Sequence, residues 1–119
     1  MTSAGAYLIL RDLWKDELKI TNRANGITVT VPIEGGFRGL YNLPLGEYTI
    51  ENHGAELKVN LTEDAPIQVW QLDSTAGTWT ETKQEDDDFG YHDLARSGAM
   101  NSKLLNAKQA VPNLFNDSS

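Results

Sequence analysis

The feature that most constrains this chain is a two-residue hydrophobic period that recurs from Tyr7 to Thr82. In residues 26–33, Ile27, Val29, Val31 and Ile33 alternate with Thr28, Thr30 and Pro32. In residues 55–62, Ala55, Leu57, Val59 and Leu61 alternate with Glu56, Lys58, Asn60 and Thr62. Successive side chains of a strand point to opposite faces, so each stretch reads as a strand with one buried and one solvated face. Leu18 with Ile20, and Tyr48 with Ile50, repeat the pattern over shorter spans. The segments AYLIL and PIQVWQL are more continuously apolar, as strands covered on both faces are. Pro32 has no N–H to give to a ladder, which places its strand at a sheet edge or a bulge.

The spacers between these segments are turn chemistry: RANG, EGGFRG, LPLG, NHG, EDAP and STAG. Asn25-Gly26 is the strongest hairpin signal among them. Seven or eight short strands at spacings near ten residues predict an all-β fold, an antiparallel β-sandwich or small barrel. The alternation stops at Thr82, which divides the chain into a sandwich core (1–82), an acidic loop (83–93) and a C-terminal segment (94–119) that packs on the same single domain. In that last segment Asn101 or Ser102 can cap a short helix. Leu104, Leu105, Lys108 and Val111 fall on one side of it, and Pro112 ends it. So short a helix is not stable alone and needs a surface to dock on.

Composition narrows the function classes. The chain has no cysteine, which excludes disulfides, thiolate metal sites and thiol catalysis and fits a reducing compartment. The apolar run near the N-terminus is about five residues, too short for a secretion signal, so it is read as a strand. No segment reaches the roughly 20 apolar residues of a membrane span. The expected location is the cytoplasm, with no membrane partner. The net charge is −7. Residues 1–80 carry six basic and ten acidic side chains, 81–93 one and six, and 94–119 three and one. An acidic domain without a basic stripe does not neutralise a phosphate backbone, so nucleic acid is not an expected partner.

No catalytic set stands out, and no cofactor is called for. No serine lies in a Gly-x-Ser-x-Gly turn, GGFRG lacks the Gly-Lys-Ser/Thr of a phosphate loop, and His53 and His92 are the only histidines available as bases. His53 reads as a surface turn residue. Asp88, His92 and Asp93 are close enough in sequence to meet around a divalent cation. Their spacing fits no metal signature: set against a calcium loop, Phe89 and Arg96 fall where oxygen ligands are needed. The remaining handle is aromatic. Trp70 and Leu72 share one face of their strand, and Trp79 can neighbour Trp70 across a hairpin closed at Ala76-Gly77. With Tyr41 and Arg38 they are candidate binding residues, and packing inside the protein is the competing role for the tryptophans. A non-enzymatic protein-interaction or assembly module is the first reading, with contacts at the Trp70 strand and the acidic loop. A carbohydrate-binding sandwich stacking sugars on Trp70, Trp79 and Tyr41 is the second, and a small β-barrel enzyme the third. The edge strand ending at Pro32 leaves a homodimer possible.

Two resemblances bear on the segment FRGLYNLPLGEYTIEN. Leu43, Pro44, Gly46, Tyr48 and Ile50 resemble the Leu-Pro-x-Gly-x-Tyr-x-Val corner of collagen-adhesin B-type and transthyretin-like sandwiches. The first strand lacks the lysine of the isopeptide crosslink known in some of these, so the resemblance implies a sandwich corner and no such chemistry. The order AYLIL, GGFRGLYNLPLGEYTI, IQVWQLD and an acidic run resembles the N-terminal β-domain of the mating-type-cistron splicing factors, which are spliceosomal assembly chaperones. That resemblance implies a β-domain that binds other proteins.

Overall fold

The computed structural model describes residues 6–34, 36–88, 90, 92, 93 and 104–106, of which 41, 42 and 104–106 by their backbone alone. In chain order they form β1 (Ala6–Leu13), β2 (Glu17–Asn22), β3 (Ile27–Pro32), β4 (Gly36–Leu43), β5 (Gly46–Asn52), β6 (Ala55–Leu61), β7 (Ile67–Asp73), β8 (Thr78–Glu81) and β9 (Leu104–Asn106). One 3-10 turn, Gln84–Asp86, follows β8. The strands make a five-stranded sheet in the order β8-β7-β1-β4-β9 and a four-stranded sheet in the order β3-β2-β5-β6. The fold is the all-β sandwich expected from the alternation. It is not wholly antiparallel, since β1 pairs with β7, and β4 with β9, in parallel.

The alternation decides which residues meet between the sheets. Leu18 and Ile20 of β2, Tyr48 and Ile50 of β5, and Leu57, Val59 and Leu61 of β6 face Leu8, Leu10 and Leu13 of β1 and Leu40 and Leu43 of β4 in one buried cluster. The opposite face of the four-stranded sheet is polar, built of residues such as Lys19, Thr28, Glu51 and Lys58, and the Thr21 and Thr28 hydroxyls bond across it at 2.7 Å. The five-stranded sheet is different. Ile9 and Val69 pair across β1 and β7, point away from the inter-sheet cluster, and are still wholly buried. Both faces of this sheet are therefore covered, which is why β1 and β7 read as continuously apolar.

Two bulges correct the period where it slips. Leu10 pairs with Arg38 and Leu13 with Gly36, so β1 spends three residues where β4 spends two. Asp12 takes a left-handed φ of 59° and returns Leu13 to the core face. Ala6 pairs with Leu43 and Tyr7 with Tyr41, which puts the second extra residue on β4 and brings both Leu40 and Leu43 inward.

The turns divide into two kinds. Residues 23–26 and 74–77 form matching four-residue loops. In each, the N–H of the closing glycine (Gly26 or Gly77) bonds at 2.7 Å to the carbonyl of the strand-end residue (Asn22 or Asp73). Asn22 Oδ1 accepts from the Ala24 N–H, and Asp73 Oδ1 from those of Thr75 and Ala76. Both glycines have positive φ, 74° and 72°, the reason glycine closes each loop. Asn25-Gly26 thus ends a longer loop, and the two-residue hairpin is His53-Gly54, with φ of 54° and 79° between the paired Asn52 and Ala55.

Leu43-Pro44-Leu45-Gly46 carries the chain from one sheet to the other, the sandwich corner that the sequence resemblance implied. The Tyr48 hydroxyl, from a side chain only 1% exposed, donates to the Pro44 carbonyl at 2.8 Å and ties the corner to β5. Burial pushes the pKa of this phenol up, because the charged form would lose its solvation.

The helix expected around Leu104 and Leu105 is not formed by the described residues there. Leu104–Asn106 is a strand parallel to β4, with Leu104 opposite Gly39 and Asn106 opposite Tyr41. A short helix has little stability of its own, whereas the open edge of β4 supplies ladder partners. Asn101, Ser102, Lys108, Val111 and Pro112 lie outside the described residues. Pro32 ends β3, an edge strand, as its missing N–H required. Among the described residues no helix is long and apolar enough to cross a membrane.

Candidate functional site

The residues singled out in the sequence are dispersed. Trp70 and Trp79 are half-buried and pack against the inter-sheet core, on one face with the buried Leu72. The Trp70 indole N–H donates to Gln68 Oε1 at 3.0 Å, and the Trp79 indole to the Ala55 carbonyl of the facing sheet at 3.3 Å. Gln68, itself buried, donates to the Asn60 and Ala65 carbonyls. These tryptophans lie half-buried at the β8 edge of the sandwich. The side chain of Tyr41 lies outside the described residues. Arg38 sits mid-strand on the core side of β4 opposite Leu10, half-buried, with its Nε shielded from solvent and without a hydrogen bond.

The acidic loop has more structure than a solvated charge run. Asp87, not Asp88 or Asp93, is the partner of His92. Its side chain is 3% exposed, and its Oδ2 lies 2.7 Å from both the main-chain nitrogen and Nδ1 of His92. Its Oδ1 accepts from the Gly90 N–H at 3.1 Å. Asp88 and Asp93 are exposed, and among the described residues no group of three or more histidine and acidic side chains is arranged to hold a metal ion. The sequence signal for Asp87 was its position three residues before Gly90: an Asp-x-x-Gly turn recruits the aspartate to the following N–H groups. His92 lines a groove of about 280 Å³ with Asp64, Pro66, Ile67, Glu81 and Lys83. The Lys83 ammonium lies 3.8 Å from Glu81.

At the other end of the sandwich, sequence reasoning passed over Trp14. It is the large hydrophobic side chain left exposed among the described residues, at 45%. Its ring stacks on His53 at 4.1 Å between centroids and 7° between planes. The left-handed His53-Gly54 turn brings the imidazole to it, and Asp16 Oδ2 lies 3.8 Å from His53 Nδ1. Beneath the pair, the wholly buried Asn52 holds the 14–16 connection. Its Oδ1 accepts from the Trp14 N–H at 2.9 Å, and its Nδ2 donates to the carbonyls of Glu17 at 3.1 Å and Trp14 at 3.5 Å. A second groove at this end, about 480 Å³, is lined by polar groups including Asp12, Gln71, Asp73 and Thr80, and Gln71 donates to Asp12.

Because β7 runs parallel to β1, the loop before β7 lies at the start of β1 and Trp14 at its end. The Trp14–His53 tip and the His92 groove are therefore at opposite ends, separated by roughly 20 Å of strand. No family model matches the chain, and neither a curated protein nor a solved structure does.

Proposed function

We infer that this protein is a non-enzymatic protein-interaction or assembly module that engages a protein partner through its Trp14–His53 end. The observation that carries the reading is the exposure of Trp14, 45%, on a connection fastened from below by a buried asparagine. Tryptophan dominates binding hot spots because a large rigid ring desolvates well and has little rotamer freedom to lose. Stacking on His53 and the three Asn52 bonds hold the ring and its loop in place beforehand, which lowers the entropy cost of association. The chain's resemblance to a protein-binding β-domain of assembly chaperones supports the same class of activity.

The test uses wild-type protein and Trp14→Ala as baits in lysate of the source cells, read by quantitative mass spectrometry. The indole is exposed, so the variant keeps its fold, which its unfolding midpoint verifies. A hot-spot tryptophan contributes about 2 kcal/mol or more, so a true partner is depleted by roughly thirtyfold on the variant. Identical retention by both baits refutes the reading.

A further inference from the structure

One edge of the four-stranded sheet is β3, and its main-chain groups divide between two sides. The Ile33 N–H bonds to the Asp16 carbonyl at 2.9 Å and extends the register of β3 on β2. Hydrogen-bonded pairs alternate along an antiparallel ladder, so Val31, Val29 and Ile27 bond to Leu18, Ile20 and Asn22. The other side of β2 agrees. There the Arg23 N–H bonds to the Glu47 carbonyl at 3.0 Å, which commits Arg23, Thr21 and Lys19 to β5 and leaves Leu18, Ile20 and Asn22 for β3. Thr28, Thr30 and Pro32 therefore turn their main chain to the open edge, and all three are exposed. Among the described residues nothing bonds to the main-chain N–H or carbonyl of Thr28 or Thr30. The opposite edge, β6, is covered: the Trp79 indole donates to its Ala55 carbonyl and the Gln68 amide to its Asn60 carbonyl.

An open edge is a template for a further strand, and proteins commonly blunt it with charge. β3 carries no charged residue, and Ile27 to Val31 are all β-branched. The positions of its outward groups select the strand that fits. When β3 pairs antiparallel with a second β3 about a two-fold axis at Val29, Thr28 of each copy faces Thr30 of the other. Each facing pair exchanges both of its N–H···O bonds. Pro32, which has no N–H, falls opposite Gly26, whose N–H already bonds to Asn22, so the seam ends alike on both sides. Moving the axis to Thr30 sets Pro32 against Thr28, and moving it to Thr28 sets Thr30 against Gly26; either shift leaves outward groups unmatched. On the inner face Val29 meets its own copy and Ile27 meets Val31, which joins half-buried apolar residues beside the core. No charges oppose each other in the seam, although each chain carries −7. We propose that two copies of this chain pair through β3 in this register, joining their four-stranded sheets into one. The two-fold seam uses up both open edges and β6 is covered, so growth of the sheet stops at two copies. The seam contains no residue of the Trp14–His53 end, and either surface can fail without the other.

Sedimentation of the full chain over a range of concentrations up to about 1 mM tests it. A seam of one short strand lies at the small end of protein interfaces, so a reversible dimer with a dissociation constant of roughly 10–500 μM is expected. Thr30→Pro deletes an outward N–H from each copy and leaves the bonds to β2 in place, so it weakens the dimer by about tenfold or more. Thr30→Val keeps the N–H and stays within about threefold of wild type. Unfolding midpoints verify that both variants fold. Because the chain has no cysteine, single introduced cysteines report the register independently. Val29 and its copy are about 4.5 Å apart at Cα, so Val29→Cys links into a covalent dimer under mild oxidation. Thr28→Cys and Thr30→Cys each lie about 7–8 Å from their own copies and stay unlinked alone, whereas a mixture of the two gives a linked heterodimer. A chain that remains monomeric throughout overturns the proposal and leaves the edge to a strand of another protein. A dimer that Thr30→Pro does not weaken overturns it too, as does one in which Thr28→Cys links as fast as Val29→Cys.

Discussion

Asn52 is the residue whose replacement reports most on how this molecule is built. It ends β5 and is wholly buried. It accepts one hydrogen bond from the Trp14 N–H and donates two, to the Glu17 and Trp14 carbonyls. Asn52→Ala removes all three. Taking about 1 kcal/mol for each, and adding a cavity that water enters from the exposed Trp14 side, the loss is about 2–4 kcal/mol. That is a large part of the roughly 5–15 kcal/mol that holds a domain of this kind together. Asn52→Asp makes a sharper test, because it keeps shape and the Trp14 N–H bond but turns a carboxylate oxygen toward two carbonyl oxygens. Burial and that repulsion raise the introduced carboxyl's folded pKa above its unfolded value, about 3.9. Sign follows from linkage. The folded state retains a proton that the unfolded state releases, so the variant fares best below the unfolded pKa, where the protonated acid donates in place of the amide. Its stability then falls, relative to wild type, by up to about 1.4 kcal/mol per pH unit as pH rises toward the folded pKa. Urea unfolding of wild type and both variants at about pH 4 and about pH 7, followed by circular dichroism, measures this. A loss below about 1 kcal/mol in Asn52→Ala, or a gap between wild type and Asn52→Asp that does not widen with pH, would refute the reasoning.

Three further changes probe other parts of the fold. Tyr48→Phe removes the donor to the Pro44 carbonyl and lowers stability at neutral pH by about 1–2 kcal/mol in urea unfolding. Because burial raises the phenol's pKa, wild type also loses stability as pH climbs above about 10, a slope the phenylalanine variant lacks. Gly77→Ala and Gly26→Ala each force an alanine into a left-handed turn and lose about 1 kcal/mol. Combined, their thermal-unfolding losses add to within about 0.5 kcal/mol, since the loops share no partner. Val69→Ala deletes two methyl groups on the outward face of its sheet and still destabilises by about 1.5–3 kcal/mol, whereas Thr30→Ala on the outer face of the other sheet stays within about 0.5 kcal/mol.

The strands were legible in the sequence because their signal is local: a period of two is written into consecutive residues, and a wrong register would expose every apolar side chain at once. The continuously apolar β1 and β7 announced a sheet covered on both faces for the same reason, as Ile9 and Val69 bear out. Pro32 announced an edge through one missing N–H. What only the tertiary structure decided depends on residues far apart in the chain. Whether Trp70 and Trp79 face solvent or the core turns on which side of β7 and β8 the second sheet covers, and strand alternation is the same in either case. The fate of Leu104 and Leu105 rests on β4 having a free edge to pair with, an energy no helical period reports. Asp87 and His92 join through a turn that buries both, while composition alone described a solvated acidic run. Asn52 looks like an ordinary turn residue until the Trp14 connection, 38 positions earlier, folds over it. Periodicity determined the sandwich, then, and the packing of its two sheets and three connections determined which polar and aromatic groups were left facing outward to act.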